Sequence, residues 1–131
     1  MNVKNGQRAI LLVEDDDADC EIVEILLKRG NILNPLFRAH DGIEALEVLQ
    51  KMMADEKLER PFLLVVDIYL PRMIGLKFLE TVRLDDALKG NMAVILTTSN
   101  FMDHRAGAHN LNVAGYILKD QLNDLTEFIS R

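Results

Sequence analysis

Glu14 with Asp15, Asp67, Thr97 and Lys119 each stand directly behind a short apolar run: Ile10 to Val13, Phe62 to Val66, Ala93 to Leu96 and Gly115 to Leu118. Taken singly, none demands a function. An acid behind a strand caps the next helix, where its charge gains about 0.3–1 kcal/mol, an aspartate opens a turn, and a threonine or lysine is ordinary surface. Together, in the order acid pair, aspartate, threonine, lysine, they make a reaction site. Three carboxylates at one edge repel one another and call for a proton or a cation. Mg²⁺ suits them, because it takes oxygen ligands, accepts one or two carboxylates with retained waters, and bridges to phosphate oxygens. Glu14 and Asp15 would hold it directly or through water. Asp67 would face it with one oxygen and attack a phosphoryl group with the other, forming an acyl phosphate. Lys119 would neutralise phosphoryl oxygens as a point charge and the Thr97 hydroxyl would donate to them. The neighbouring Asp16, Asp17 and Asp19 are read as helix-capping charge.

Bringing these residues together is the task of the elements around them. A fifth run, Leu36 to Ala39, completes a set of five expected strands. The runs at 62–66 and 93–96 are apolar at successive positions, as in parallel strands covered on both faces. Between the runs lie segments with helical spacing: Ile22, Val23, Leu26 and Leu27; Ala45, Leu46, Leu49, Met52 and Met53; Phe78, Leu79 and Val82; more weakly Met102, Ala106 and Leu111; and Leu122, Leu125 and Ile129. Right-handed crossovers of this βα alternation predict an α/β fold, a doubly wound five-stranded parallel sheet of order 2-1-3-4-5 flanked by five helices. Ligands of such sheets bind beyond the carboxyl ends of the strands, where the residues named above stand.

Composition limits the alternatives. The 131 residues, 49% hydrophobic and 27% charged, suffice for one core and hold no linker or repeat. A single domain over 1–131 is expected, with 1–8 a flexible N-terminal segment. No apolar run approaches the roughly 18 residues of a membrane span, the polar start lacks a secretory signal, and the lone Cys20 forms no internal disulfide. No membrane association and a cytoplasmic location are expected. The net charge of -6 is concentrated: seven acids and no base lie between Glu14 and Glu24. With no basic block elsewhere, direct nucleic-acid binding is not expected, since backbone contacts need clustered Lys and Arg.

The sequence resembles the receiver domain of two-component response regulators from about Ile10 through the last helix. The likeness rests on Ile10-Leu11-Leu12-Val13-Glu14-Asp15, Ala39-His40-Asp41-Gly42-Ile43-Glu44-Ala45-Leu46, Val66-Asp67-Ile68-Tyr69-Leu70-Pro71 with Gly75, Ile95-Leu96-Thr97-Thr98-Ser99 and Gly115-Tyr116-Ile117-Leu118-Lys119. The resemblance implies a CheY-like fold, Asp67 as phospho-acceptor, Glu14 and Asp15 as metal-site acids, and the Tyr69 carbonyl oxygen as a further Mg²⁺ ligand. It also implies Thr97 and Tyr116 as switch residues and Lys119 as the site lysine. The donor would be a phosphohistidine of a sensor histidine kinase, the output a downstream protein partner. A homodimer face is implied on the fourth helix, fifth strand and fifth helix. Leu70-Pro71-Arg72, Leu96-Thr97-Thr98-Ser99 and the charged stretch Ala54 to Pro61 are similar to stand-alone regulators serving phytochrome kinases.

Two departures from the family pattern stand out. Asp120 follows the lysine where the family usually has proline, and a cis bond there would cost about 2.5–4 kcal/mol, so a reshaped loop and a less firmly placed Lys119 are expected. Tyr69 is bulky for its position and is expected to shield the phosphoryl group and slow self-dephosphorylation. The energetics require several groups to act together. One lysine contact at about 4 Å is worth at most roughly 4 kcal/mol at an effective dielectric of about 20, whereas moving a population from 1:99 to 99:1 takes about 5.5 kcal/mol. Mg²⁺ and Thr97 must therefore contribute. Three other readings compete: a Mg²⁺-dependent phosphohydrolase with an aspartate nucleophile, a nucleotide-binding flavodoxin-like protein, and a receiver cut from a larger regulator or hybrid kinase. The first would want an acid two positions after Asp67, where Tyr69 stands. The second lacks a glycine-rich phosphate loop.

Overall fold

The computed structural model describes residues 8–68, 75–97 and 111–130. Strands β1 (Arg8–Val13), β2 (Leu36–Ala39), β3 (Glu59–Asp67), β4 (Met92–Thr97) and β5 (Gly115–Leu118) form one parallel sheet of order β2-β1-β3-β4-β5. The helices among the described residues are α1 (Asp17–Arg29), α2 (Gly42–Ala54), α3 (Gly75–Leu84) and α4 (Asn123–Ser130), with a 3₁₀ turn at Lys119–Gln121. The strand order is the expected one, and the described helices number four instead of five. The expected helix around Met102 to Leu111 falls, but for its buried last residue, outside the described residues, and α4 is the helix expected as the fifth.

Alternation along the strands builds two cores. Ala9, Leu11 and Val13, Phe62, Leu64 and Val66, Ala93 and Ile95 face α2 and α3. Ile10 and Leu12, Leu63 and Val65, Val94 and Leu96, and Ile117 face α1 and α4. Successive side chains point to opposite faces, so a strand covered on both sides is apolar at every position. The helices start where the chain supplies caps. The Asp16 carboxylate accepts from the Asp19 amide at 3.0 Å, and Asp41 from the Glu44 amide at 2.8 Å. In α1, Asp17 and Asp19 lie in the first turn and Lys28 and Arg29 in the last, matching the helix dipole. No helix among the described residues is long and apolar enough to cross a membrane.

Strand edges extend past the apolar runs. Arg8 belongs to β1, paired with Glu59, and only residues 1–7 of the expected flexible segment lie outside the described residues. The β1–β3 register shifts between Arg8 and Ile10, beside the cis Arg60–Pro61 peptide. Proline has no N–H for a ladder, and the next amide, Phe62 N, donates instead to the buried Asn91 Oδ1 at 2.8 Å. Asn91 Nδ2 in turn donates to the Leu88 carbonyl at 3.1 Å, so the polar group buried at this end of the sheet is satisfied.

Candidate functional site

Parallel register brings the sequence-predicted residues to one edge. Val13 pairs with Val66, so Glu14 and Asp67 begin side by side beyond it. Thr97 pairs with Leu118, so Lys119 follows at the end of the neighbouring strand. Glu14, Asp67 and Thr97 are buried, whereas Asp15 is exposed. One carboxylate oxygen from each of Glu14, Asp15 and Asp67 can be chosen so that all three lie within 4.8 Å of one another. The approach of α3 to this edge is close: Gly75 N donates to the Ile68 carbonyl at 2.9 Å, and a Cβ on Gly75 would sit 2.1 Å from the Asp67 carbonyl oxygen. Only glycine lets the backbone come so near.

The Lys119 ammonium is shared by three acids, lying 2.8 Å from Glu14 Oε1, 2.9 Å from Asp19 Oδ2 and 2.9 Å from Asp67 Oδ2. The expected loosening of Lys119 does not occur. The Lys119–Asp120 bond is not cis, since Arg60–Pro61 is the only cis peptide among the described residues. The chain turns instead into the 3₁₀ segment, and the ammonium is anchored by its carboxylate partners. Burial opposes its charge, but contacts with Glu14, Asp67 and Asp19 hold its pKa above the ordinary lysine value. Glu14 moves the other way from a normal carboxyl: burial, aided by the neighbouring Asp67 charge, pushes it up to about 7 despite the Lys119 contact. The two shifts agree physically. One ammonium cannot satisfy three carboxylates, and the most deeply buried of them becomes the easiest to protonate.

Asp19 lies in the first turn of α1, as the capping-charge reading expects, and has a second role as well. It donates its amide to the Asp16 cap, but its carboxylate binds Lys119. Asp17 likewise has a specific partner, Arg38 Nη1 at 2.8 Å. Arg38 itself went unremarked, although an arginine inside a short strand between Phe37 and Ala39 must find a polar partner near the strand end. Cys20 is buried, its Sγ 3.8 Å from the Glu14 carbonyl oxygen, and burial pushes its thiol up to about 11. Tyr116 pairs with Ile95 and lies half-buried against the α2/α3 core. Tyr69, Thr98 and Ser99 fall outside the described residues.

The residues present fit a hard divalent cation. Three carboxylate oxygens lie close together, with the buried Glu14 Oε1 2.8 Å from the Lys119 ammonium, and an all-oxygen set of this kind suits an ion that binds oxygen without directional demands.

Comparisons with known proteins agree with this arrangement. The family described as response regulator receiver domain matches residues 10–130. Response regulator Rcp1 of Synechocystis sp. strain PCC 6803 is 34% identical over 126 residues, covering 95% of this chain and 86% of the relative. Chemotaxis protein CheY-3 of Vibrio cholerae is 31% identical over 117 residues, covering 89% of this chain and 84% of the relative. Among solved structures, the Mn²⁺-bound form of Rcp1 superposes with a TM-score of 0.75 over 93% of this chain and 88% of that one, at 34% identity. The phosphorylated cyanobacterial phytochrome response regulator RcpA gives 0.77 over 94% and 89%, at 29% identity.

Proposed function

The chain belongs to the response regulator receiver family, and from that premise we propose that it accepts a phosphoryl group on Asp67 from a sensor histidine kinase and signals by changing its affinity for a downstream protein. The observation that carries the reading is the buried Asp67 carboxylate, 2.9 Å from the Lys119 ammonium and beside Glu14 and Asp15. An Asp67 oxygen attacks phosphorus of a phosphohistidine. The O–P bond forms as the P–N bond breaks, the electron pair goes to the leaving nitrogen, and the proton carried on the ring's other nitrogen lets the imidazole leave neutral. Lys119 then exchanges part of its contact with Asp67 for a phosphoryl oxygen, and Thr97 donates its hydroxyl to another. Water later attacks the phosphorus, releasing inorganic phosphate and restoring the carboxylate. A divalent cation, read here as Mg²⁺ and held by Glu14, Asp15, Asp67 and the Tyr69 carbonyl oxygen, supplies neutralisation of phosphoryl charge when bound.

Output in this proposal passes through Thr97 and Tyr116, which share the β4–β5 pair: Thr97 ends β4 in register with Leu118, and Tyr116 lies two residues before Leu118, in register with Ile95. Likeness to RcpA supports a phytochrome-type kinase as donor, and the same proposal includes self-association through the expected fourth helix, β5 and α4, a single receiver over 1–131 working in the cytoplasm, and shielding of the phosphoryl group by Tyr69. Incubation with acetyl phosphate and Mg²⁺, read by intact and peptide mass spectrometry, tests the centre of it. One phosphoryl group per chain on Asp67, absent from Asp67→Asn, is expected. Sustained multiple turnover of a phosphomonoester would replace the switch with a phosphohydrolase.

A further inference from the structure

The backbone of Glu14 is gripped from both sides by the end of β2. Glu14 N donates to the Ala39 carbonyl at 3.0 Å, and the Glu14 carbonyl accepts from Arg38 Nε at 3.1 Å and Nη2 at 3.0 Å. The third nitrogen of the same guanidinium, Nη1, reaches Asp17 Oδ1 in the first turn of α1 at 2.8 Å. One planar group therefore ties the peptide between Glu14 and Asp15 to both β2 and α1. Asp15 follows at this peptide and is exposed, so the position of the Cα from which its carboxylate extends depends on how that peptide is held.

From this geometry we infer that Arg38 is a positioning residue for the acid pair, orienting the Glu14–Asp15 peptide so that both carboxylates meet one cation. The inference rests on the divalent-cation reading of the site. It can be tested by sign. As a bare positive charge beside an acidic cluster, Arg38 repels a cation, and neutralising it would tighten binding. As the group that orients the ligands, its loss weakens binding, and removal of a partner that orients a metal ligand typically costs about 10- to 100-fold in affinity. Lysine keeps the charge but lacks the fork that engages one carbonyl twice and a carboxylate once.

Titration of the full chain with Mn²⁺ by calorimetry, for the parent, Arg38→Gln, Arg38→Lys and Asp15→Asn, separates these cases, with melting temperature in metal-free buffer as the check on folding. Expected is a loss of about tenfold or more in Mn²⁺ affinity for both Arg38 variants, measured at a temperature below the unfolding transition of each. Affinity equal to or above the parent's in Arg38→Gln, or equal in Arg38→Lys, overturns the inference. If Arg38→Gln does not fold, the Arg38→Lys result alone decides. A loss in Asp15→Asn beside undiminished Arg38 variants defeats the positioning role while leaving the cation site standing. A parent that binds no Mn²⁺ defeats both.

Discussion

Two half-buried cations stand at opposite ends of the same sheet, Arg83 where β4 and β5 begin and Lys119 where β5 ends, and they are satisfied in opposite ways. Arg83 Nε donates to the Leu111 carbonyl at 2.7 Å, Nη1 to the Lys89 and Asn91 carbonyls at 2.7 Å each, and Nη2 to the Asn112 carbonyl at 3.3 Å. These partners are neutral dipoles of two connecting loops, and burial lowers the Arg83 pKa. Lys119 meets the carboxyl groups of Glu14, Asp19 and Asp67. One end of the sheet closes a neutral hydrogen-bond account and ties loops to a helix. The other leaves net negative charge that only an added proton or cation can offset, which is the condition a switch needs and a structural clamp avoids.

If the clamp end serves stability alone, Arg83→Ala should give the largest change in folding. Charge-assisted hydrogen bonds are worth about 1.5–3 kcal/mol each, and their effects do not add, so a loss of about 3 kcal/mol in urea unfolding is expected, with labelling of Asp67 by acetyl phosphate retained in the folded protein. Failure to label at parent stability would break the division between the ends. Lys119→Met should cost less, about 2 kcal/mol in metal-free buffer. Removing one member of a buried pair ordinarily costs about 3–5 kcal/mol, but a proton on Glu14 relieves part of the remaining charge. At one fixed Mn²⁺ concentration the same variant should gain more stability than Arg83→Ala, because loss of the ammonium removes the cation that competes for these carboxylates and tightens metal binding. Equal metal responses relative to each apo form and no apo destabilisation of Lys119→Met would erase the contrast.

A further expected effect is on pH dependence. With Glu14 pushed up to about 7 in the fold and near its ordinary 4.5 when unfolded, the folded chain holds this proton more tightly. The group's contribution to stability is complete below about 4.5 and lost as pH rises through about 7. In metal-free buffer Glu14→Gln should flatten the stability profile over that interval. The same proton competes with a cation, so Mn²⁺ affinity should fall as pH drops below 7. A profile unchanged by the substitution would show that the site holds its charge without Glu14 protonation.

Sequence reasoning reached the sheet order and the meeting of Glu14, Asp15, Asp67 and Lys119 for one physical reason: each residue ends an apolar run, and parallel strands deliver their ends to one edge. It stopped short where the partner lies far along the chain or belongs to the backbone. The Arg83 clamp and the Arg38 contact with the Glu14 carbonyl carry no spacing signature. Asp19 was assigned by its place in the first turn of α1, although it also lies within reach of Lys119, a hundred residues on. The apolar run expected as the third strand starts at Phe62, yet pairing begins at Glu59 and resumes past the proline. The loss of the family's proline after Lys119 suggested a weakened lysine, and the compensating acid was invisible until the helix was set against the strand.

The fit of Gly75 over the carbonyl of Asp67 leaves the chain there no slack. The first turn of α3 rests on the Asp67 peptide with not even a methyl group between them, so any tilt of that peptide would pass to the helix backbone and could not be absorbed by a side chain changing rotamer.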